Sequence, residues 1–221
     1  MNKTIVITGA NRGIGLAFAS LYQQQGAQVY ALCRNSSPEL DALQVKVVTG
    51  VDVDTDQGLA NMVSALEGVN IDILICNAGI LRDESLGRLN SATICEQFEV
   101  NALAPLRVAD ALLANLSSGS KIAMITSRMG SIADNGSGGR YGYRMSKAAL
   151  NAGAMSLAKD LAGENIAVGI YHPGYVQTDM VNHGGDISAT ESASRLVGLI
   201  KELSLAESGV FKHSNGQVLP W

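Results

Sequence analysis

The sequence lacks the features that would place a protein on nucleic acid or in a membrane. Its 16 lysines and arginines are outnumbered by 20 aspartates and glutamates, so the formal net charge is -4 and no basic surplus exists to bind phosphate backbones. It also lacks an apolar run of the roughly 18 residues that a transmembrane helix needs. These absences predict no nucleic-acid partner and no membrane partner, and they favour a cytoplasmic protein that binds a small molecule.

Cysteine is scarce as well. Cys33, Cys76 and Cys95 are an odd number without the spacing of metal ligands, so we expect reduced, mostly buried thiols and no metal site. Hydrophobic residues, in contrast, make up 47% of 221 residues, which is enough to bury a substantial core. No repeat or low-complexity linker divides the chain, and the sequence therefore predicts one domain over residues 1–221.

Short apolar runs rich in β-branched residues alternate with longer helical patterns along the chain. This alternation predicts an α/β fold of the Rossmann type, a doubly wound parallel sheet of about seven strands with helices on both faces. The predicted strands are 4–8, 28–33, 46–51, 71–76, 121–126, 167–171 and 217–219. The predicted helices are 13–25, 55–66, 91–116, 143–162 and 189–203. The Gly- and Ser-rich stretch 133–140 is expected to be a surface loop near a site.

A glycine signature, TGANRGIG at residues 8–15, joins the first predicted strand to the first predicted helix. Gly9 permits a tight turn, and Gly13 and Gly15 allow the backbone and the helix to come close together. The unpaired N–H groups at the helix start can then bind a pyrophosphate. The order of strand, turn and helix therefore predicts a dinucleotide site.

The end of the second predicted strand indicates which dinucleotide binds. Arg34 stands where a carboxylate would bind a free ribose 2′-hydroxyl, and a guanidinium can bind a 2′-phosphate instead. Arg12 can approach that phosphate from the other side. We therefore expect NADP as cofactor, with NADPH preferred over NADH. Asp52, at the end of the third predicted strand, is a candidate acceptor for the adenine amino group or, alternatively, a helix cap.

Tyr143 and Lys147 lie four residues apart near the start of a predicted helix and so share a face. The ammonium of Lys147 could stabilise the ionised phenol, whose ordinary pKa is about 10, and make Tyr143 a general acid/base. Asn101 precedes Pro105 by four residues, and proline lacks the N–H that would bond the Asn101 carbonyl. That carbonyl could bind a water leading toward Lys147; a kinked helix with solvent in the gap is the alternative.

Six motifs in order resemble those of the short-chain dehydrogenases/reductases. They are Gly9-x-x-x-Gly13-x-Gly15, Asn77-Ala78-Gly79, Asn101, Ser127, Tyr143-x-x-x-Lys147 and Pro173-Gly174. Within that family, segments 127–132, 141–147 and 219–221 resemble the C-factor and sniffer-type carbonyl reductase branch. The resemblance implies that Tyr143 exchanges a proton with a substrate oxygen held by Ser127 while nicotinamide C4 exchanges hydride. Lys147 would lower the pKa of Tyr143 and bond the nicotinamide ribose.

The resemblance also implies two sets of site residues. The catalytic set is Asn101, Ser127, Tyr143 and Lys147. The cofactor-binding set is Gly9, Asn11, Arg12, Gly13, Ile14, Gly15, Arg34, Asp52, Val53, Asn77, Ala78, Gly79, Tyr143, Lys147, Pro173, Gly174, Val176 and Thr178, of which Val176 and Thr178 would meet the carboxamide. The sequence departs from the family pattern at Cys76, where an asparagine is often found, and in a longer loop before Tyr143.

The favoured function is an NADPH-dependent reductase of a small aldehyde, ketone or quinone, or the reverse oxidation of an alcohol. The alternative is a dinucleotide-binding sensor or signalling protein, which need not keep the proton-transfer groups. His172 and His183 are expected to be non-catalytic. Trp221 is expected to be docked, either as a wall of the site, in a subunit contact or on the domain edge. Family habit predicts a homo-oligomer.

Overall fold

Seven parallel strands form the central sheet of this computed structural model, which describes residues 3–221. The strands are β1 (Thr4–Thr8), β2 (Gln28–Leu32), β3 (Lys46–Val48), β4 (Ile71–Cys76), β5 (Leu116–Ile125), β6 (Ala167–His172) and β9 (Phe211–His213), while β7 (Val176–Gln177) and β8 (Ile187–Ser188) pair separately. The order across the sheet is β3-β2-β1-β4-β5-β6-β9. The connections change direction between β1 and β4, which opens a crevice at the carboxyl ends of these two strands.

Helices cover both faces of the sheet, which confirms the predicted α/β fold. They are α1 (Gly13–Gln24), α2 (Pro38–Asp41), α3 (Asp56–Ala65), α4 (Ser91–Phe98), a π-helical stretch (Glu99–Leu103), α5 (Ala104–Ala111), α6 (Tyr141–Asp160) and α7 (Ala189–Glu202). Throughout residues 3–221, none of the helices combines the length and apolar composition needed to cross a membrane.

Each face has its own hydrophobic cluster because side chains alternate between the two faces along every strand. In β1, Val6 points into the cluster beneath α3, α5 and α6, while Ile5 and Ile7 point into the cluster beneath α1 and α7. Phe211 of β9 belongs to the first cluster and Phe18 of α1 to the second. Both layers therefore hold the strand ends in fixed positions.

Side-chain caps start several of the helices. Asn90, Thr55 and Ser188 accept hydrogen bonds from the first-turn N–H groups of α4, α3 and α7. In contrast, the residues that precede α1 and α6, Arg12 and Arg140, make no side-chain capping bond. These two helices carry the glycine signature and the Tyr143-Lys147 pair, so their first N–H groups need other partners.

The prediction of the last strand is wrong. The seventh strand is β9 (Phe211–His213), which pairs in parallel with β6, and residues 217–219 return antiparallel to it. The N–H of His213 donates to the Gln217 carbonyl and the N–H of Leu219 to the Phe211 carbonyl, both at 2.8 Å. Only neighbours in the sheet distinguish the two short segments, because both contain apolar residues.

Several other predicted elements differ from the structure in their bounds, among them the predicted strand 121–126, which is β5 and starts at Leu116. The predicted strand 46–51 ends at Val48, and the predicted helix 91–116 is divided into α4, a π-helical stretch and α5 before β5 starts at Leu116. The short elements α2, β7 and β8 were not predicted. Each is two to four residues long, which gives too few residues for a recognisable period.

Candidate active site

The glycine loop and segment 77–79 are bonded to each other at the carboxyl ends of β1 and β4. Asn77 Nδ2 donates to the carbonyls of Thr8 and Gly9, at 3.1 and 3.2 Å. In return, Thr8 Oγ1 accepts from the N–H groups of Asn77 and Ala78, at 3.0 and 3.1 Å. The Asn77 side chain therefore holds the backbone of the glycine loop in place by hydrogen bonds. Thr8 was missed by the sequence reasoning, and its position directly before Gly9 was the one available signal.

Close backbone contacts explain the glycines of the loop. Gly9 has a φ of 66°, and a Cβ on it would lie 3.0 Å from the Cα of Ala78. A Cβ on Gly15 would lie 2.1 Å from the Gly9 carbonyl oxygen. At the start of α1, the glycines therefore let the loop backbone pack closely on itself and on Ala78. The first N–H groups of α1 have no side-chain cap and can face an anion. Of the other loop positions in the predicted set, Asn11 accepts a bond from Ser37 at 2.7 Å and Ile14 packs on the second core cluster.

The two arginines expected at the 2′-phosphate have different surroundings. Arg34 is exposed at the end of β2, and within residues 3–221 no carboxylate lies at ion-pair distance from it. Arg12 lies 3.3 Å from Asp179, with 67% and 56% of the two side chains exposed. Arg12 is thus held toward the segment after β6 rather than toward Arg34.

Asp52 lies beside Arg34 after the end of β3, followed by the buried Val53. Burial raises the pKa of Asp52, the neighbouring Asp54 adds to this rise, and the charge of Arg34 opposes it. The alternative role of Asp52 as a helix cap is wrong, because Thr55 caps α3 by accepting from the Gly58 N–H at 3.0 Å.

Ser127, Tyr143 and Lys147 come together beyond the carboxyl end of β5. Their exposed fractions are 6%, 8% and 4%. Ser127 accepts a bond from the N–H of Met129 at 3.2 Å, which shapes the turn after the strand. Gly130 lets this turn pack directly on α6, because a Cβ there would lie 2.7 Å from the carbonyl carbon of Lys147.

Burial dominates the titration of this group. It raises the pKa of Tyr143 above its ordinary value, and the Ser127 hydroxyl and the Arg140 charge offset only part of the rise. Burial also lowers the pKa of Lys147 to about 8. Lys147 Nζ lies 5.9 Å from the Tyr143 ring centroid and donates to the Ile125 carbonyl at 3.0 Å, and the expected effect of Lys147 on the pKa of Tyr143 stays a prediction.

The helix interruption expected at Pro105 is a π-helical stretch, Glu99–Leu103, that contains Asn101. The N–H of Ala104 bonds the carbonyl of Glu99, five residues back, so the helical hydrogen-bond pattern is shifted immediately before Pro105. Such insertions are frequent at functional sites. They change which residues face the neighbouring helix.

The Asn101 side chain fixes the backbone after segment 77–79. Fully buried, it accepts from the N–H of Ile80 and donates to the Ile80 carbonyl, both at 2.8 Å, and donates to Ser146 Oγ at 3.1 Å. A Cβ on Gly79 would lie 3.1 Å from Asn101 Oδ1 and 3.6 Å from Lys147 Nζ. The packing of Gly79 thus joins three predicted motifs. The sequence reasoning considered the Asn101 carbonyl and did not predict this use of its amide.

The segment after β6 closes the other side of the crevice. Pro173 is followed by Gly174, whose φ is 99°. Val176 is buried in β7, and the methyl group of Thr178 would lie 3.4 Å from a Cβ on Gly13. The structure therefore places Thr178 across from Gly13 of the glycine loop, while Val176 pairs with Ile187 of β8.

His172 and His213 are the last residues of β6 and β9, and Trp221 packs on β9. His172 and His213 make an edge contact at 4.9 Å, and burial is the main cause that lowers the pKa of His172 to about 3. Trp221 stacks on Phe211 at 5.4 Å and its carbonyl accepts from the N–H of Ala133 at 2.9 Å. Of the three positions considered for Trp221, the structure supports packing on the domain edge, and it adds a link to the loop before Tyr143.

Comparison with known proteins shows similarity along most of the chain. Residues 3–187 match the family model for short chain dehydrogenase. The chain is 34% identical over 225 residues to 1-hydroxy-2-glutathionyl-2-methyl-3-butene dehydrogenase of Rhodococcus sp. (strain AD45), covering 99% of this chain and 100% of that protein. It is 42% identical over 154 residues to C-signal of Myxococcus xanthus, covering 68% of this chain and 93% of that protein.

Solved structures are similar over the full chain. A carbonyl reductase from Pseudomonas aeruginosa PAO1 in complex with NADP is 33% identical, with a TM-score of 0.85 and 100% of both chains covered. The carbonyl reductase Sniffer of D. melanogaster is 27% identical, with a TM-score of 0.91 and 100% of both chains covered.

Proposed function

Because the chain belongs to the short-chain dehydrogenase family, in its C-factor and sniffer-type branch, we propose that it is an NADPH-dependent carbonyl reductase. Its substrate would be a small aldehyde, ketone or quinone, or the alcohol in the reverse direction. The observation that carries the proposal is the convergence of Ser127, Tyr143 and Lys147 on the crevice that the glycine loop borders. A location in the cytoplasm, one domain over residues 1–221 and a homo-oligomer stay predictions.

The residues present fit a dinucleotide. The glycine loop leaves a cradle that a Cβ would fill, and the first N–H groups of α1 have no side-chain cap. Arg34 would bind the 2′-phosphate. Arg12 would also bind this phosphate once its ion pair with Asp179 is broken. Asp52 would accept a hydrogen bond from the adenine amino group. The bound nicotinamide supplies the hydride. The similarity to a carbonyl reductase in complex with NADP supports this choice of cofactor.

The catalytic roles follow from burial and position. A phenol holds its proton at neutral pH, so Tyr143 would be the acid that donates a proton to the carbonyl oxygen. Ser127 would hold the same oxygen by a hydrogen bond. Lys147, with a pKa of about 8, can bond the nicotinamide ribose and return a proton to Tyr143. Asn101 would hold segment 79–80 against Lys147 while its carbonyl serves the water relay.

A second candidate function has one observation in its favour. The similarity to C-signal supports a signalling role in which dinucleotide binding, rather than turnover, matters. The buried Ser127, Tyr143 and Lys147 group favours the enzyme, because a sensor does not require a proton donor beside the crevice.

A carbonyl screen that follows NADPH absorbance tests the proposal. We expect turnover with at least one class of aldehyde, ketone or quinone, and we expect Tyr143→Phe to abolish it while NADPH binding changes little. The reason is that only the exchangeable proton is removed. Tyr171→Phe is a matched control, because it removes the hydroxyl of another buried tyrosine, which lies in the core cluster beneath α1 and α7.

Two results would contradict the enzyme. One is wild-type turnover by Tyr143→Phe, which would mean that another group donates the proton. The other is tight NADPH binding without turnover of any carbonyl class, which would favour the signalling candidate.

A further inference from the structure

Glu84, between β4 and α4, is a buried carboxylate without a cationic partner. Its residue is 3% exposed, and none of the lysines, arginines and histidines in the described chain forms an ion pair with it. A charge removed from water is costly unless its oxygens are fully hydrogen-bonded. The position therefore calls for donors that stabilise the ionised form.

Three donors converge on the two carboxylate oxygens. Glu84 Oε1 accepts from Thr93 Oγ1 at 2.7 Å and from Gln97 Nε2 at 2.8 Å. Glu84 Oε2 accepts from the backbone N–H of Gly142 at 3.2 Å. The Gln97 amide nitrogen and the Gly142 N–H can only donate, so the Glu84 oxygens accept, whereas a side-chain amide in place of Glu84 would turn its own NH₂ group toward a donor. The Thr93 hydroxyl also lies 3.1 Å from the Asn90 carbonyl and shares its proton between the two acceptors.

The N–H of Gly142 belongs to the first turn of α6. The residue before this helix, Arg140, has a φ of 51° and makes no side-chain capping bond. The first turn of the helix has no acidic residue. Glu84 supplies what is missing: its carboxylate bonds Gly142, and its backbone carbonyl accepts from the N–H of Arg140 at 2.8 Å. A negative charge at a helix N-terminus is stabilised by the N–H groups and the helix dipole. Glu84 thus caps α6 from a distant part of the chain.

Two buried amides on the helix opposite hold the segment that carries Glu84. Gln97, fully buried, accepts from the N–H of Arg82 at 2.9 Å, and Asn101, one turn later, binds both backbone groups of Ile80. A Cβ on Gly142 would lie 2.4 Å from Gln97 Nε2, so α6 and α4 touch at this point. Gln97 and Asn101 therefore hold segment 80–84 by its backbone, and Glu84 of this segment in turn holds the start of α6.

We propose that Glu84 is a positioning residue for the reaction: it bonds the backbone on both sides of Tyr141 and thereby fixes the phenol of Tyr143 against the substrate oxygen. The inference rests on the proposed function, in which Tyr143 donates the proton. Glu84 acts through the backbone of α6 and contacts no reacting atom. A small displacement of a proton donor is enough to slow a reaction, because proton transfer requires hydrogen-bond distance.

The test compares Glu84→Gln with Glu164→Gln, which makes the same change of charge at an exposed position after the end of α6. NADPH affinity and site number are measured by fluorescence titration, and turnover of an aromatic aldehyde is expressed per NADPH-binding site. We expect Glu84→Gln to lower kcat per site by about tenfold to a hundredfold, with NADPH affinity unchanged within about twofold. The isotope effect with NADPH deuterated at the transferred position should rise, because the chemical step becomes slower. Glu164→Gln should match the wild type.

A purely structural role would give fewer NADPH-binding sites but an unchanged kcat per site and an unchanged isotope effect, and this result overturns the inference. If Glu84→Gln does not fold, Thr93→Val removes one of the three donors and takes its place. We expect it to lower kcat per site by about threefold, because two donors keep the carboxylate in place. An unchanged value for Thr93→Val also overturns the inference.

Ionisation of the Tyr143 phenol gives a readout that needs no turnover. Ultraviolet difference spectra of each variant against the same variant with Tyr143→Phe report the tyrosinate. Burial raises the pKa of Tyr143, so a loosened α6 should lower it toward its ordinary value. Thr93→Val isolates this effect, because Glu84→Gln also removes a negative charge beside the helix that carries the phenol, and that loss lowers the pKa by itself. An unchanged titration together with an unchanged kcat overturns the inference. A shifted titration in a protein that reduces no carbonyl supports the positioning role and contradicts only the proposed function.

Discussion

Among single residues, Arg34 has the largest expected effect on cofactor choice. Its exposed guanidinium lies beside Asp52, and no carboxylate in residues 3–221 lies at ion-pair distance from it. Each charge-assisted hydrogen bond contributes about 1.5 to 3 kcal/mol before exposure weakens it, so NADPH should bind about a hundredfold more tightly than NADH. Arg34→Asp should reverse this preference by adding repulsion. Titration with both reduced cofactors at low and high salt measures it.

The control for Arg34 is Arg88→Asp, which makes the same change of charge in the exposed loop before α4. It should leave both affinities unchanged. Equal affinities of the wild type for NADPH and NADH, or a variant that still prefers NADPH, would mean that Arg34 is an ordinary surface charge.

Asp179 is expected to weaken NADPH binding, because it holds Arg12 and adds negative charge near the phosphate. The pair is more than half exposed at 3.3 Å, so its strength is at the low end for ion pairs. Asp179→Asn should therefore tighten NADPH binding by about two- to fivefold, corresponding to about 0.5 to 1 kcal/mol, and leave NADH binding unchanged. The same titrations measure this change, and the gain should shrink at high salt.

Asp186→Asn serves as the control for Asp179, because Asp186 is an exposed carboxylate in the same segment after β6. An equal gain in both variants would indicate a general charge effect. No gain in Asp179→Asn would mean that Arg12 does not bind the phosphate, without affecting the prediction for Arg34.

At the scale of elements, the last strand connects the sheet edge to the loop before Tyr143. Trp221 covers Phe211 of β9 and bonds Ala133, although 46% of the Trp221 residue is exposed. Trp221→Ala should lower the free energy of unfolding by about 1 to 2 kcal/mol, since it removes an aromatic pair and half-buried apolar area. Urea denaturation measures the change.

Val218→Ala is the matched control for Trp221, because Val218 is 60% exposed in the same returning segment and should affect stability less. A change in molecular mass without a change in unfolding free energy would instead place Trp221 in a subunit contact.

The stability of the whole molecule should depend on acid through His172. Burial, His213 and the Arg128 charge lower its pKa from 6.5 to about 3, while Asp134 opposes them. The unfolded chain therefore binds a proton that the folded protein does not, and stability falls as the pH drops from about 6.5 toward 3. This difference costs about 2 kcal/mol at pH 5 relative to pH 7.

His172→Asn should remove most of that loss, as urea denaturation at pH 7 and pH 5 can measure. His213→Asn should remove less, because the hydrogen bond to Asn215 opposes the burial that lowers the pKa of His213. An equal loss of stability in the wild type and His172→Asn would mean that His172 is solvated and titrates normally.

Much of the architecture was predictable from sequence because each strand and helix repeats its own local period. The bounds of β1 and β4 agree with prediction, and α1 differs by one residue. The prediction failed at the last strand, where two short apolar segments, 211–213 and 217–219, could each have paired with β6. It also failed at 91–116, where a long helical period continues through the π-helical stretch.

The sequence by itself determined the features that depend on local geometry. A positive φ and a missing Cβ define the glycine loop at Gly9 and Gly15, and the helical period alone brings Tyr143 and Lys147 to one face. Only the tertiary structure decided that burial raises the pKa of Tyr143, that Arg12 pairs with Asp179 and that Glu84 caps α6. The physical reason is that desolvation, ion pairs and capping across the fold depend on distances between segments far apart in the chain, which packing sets.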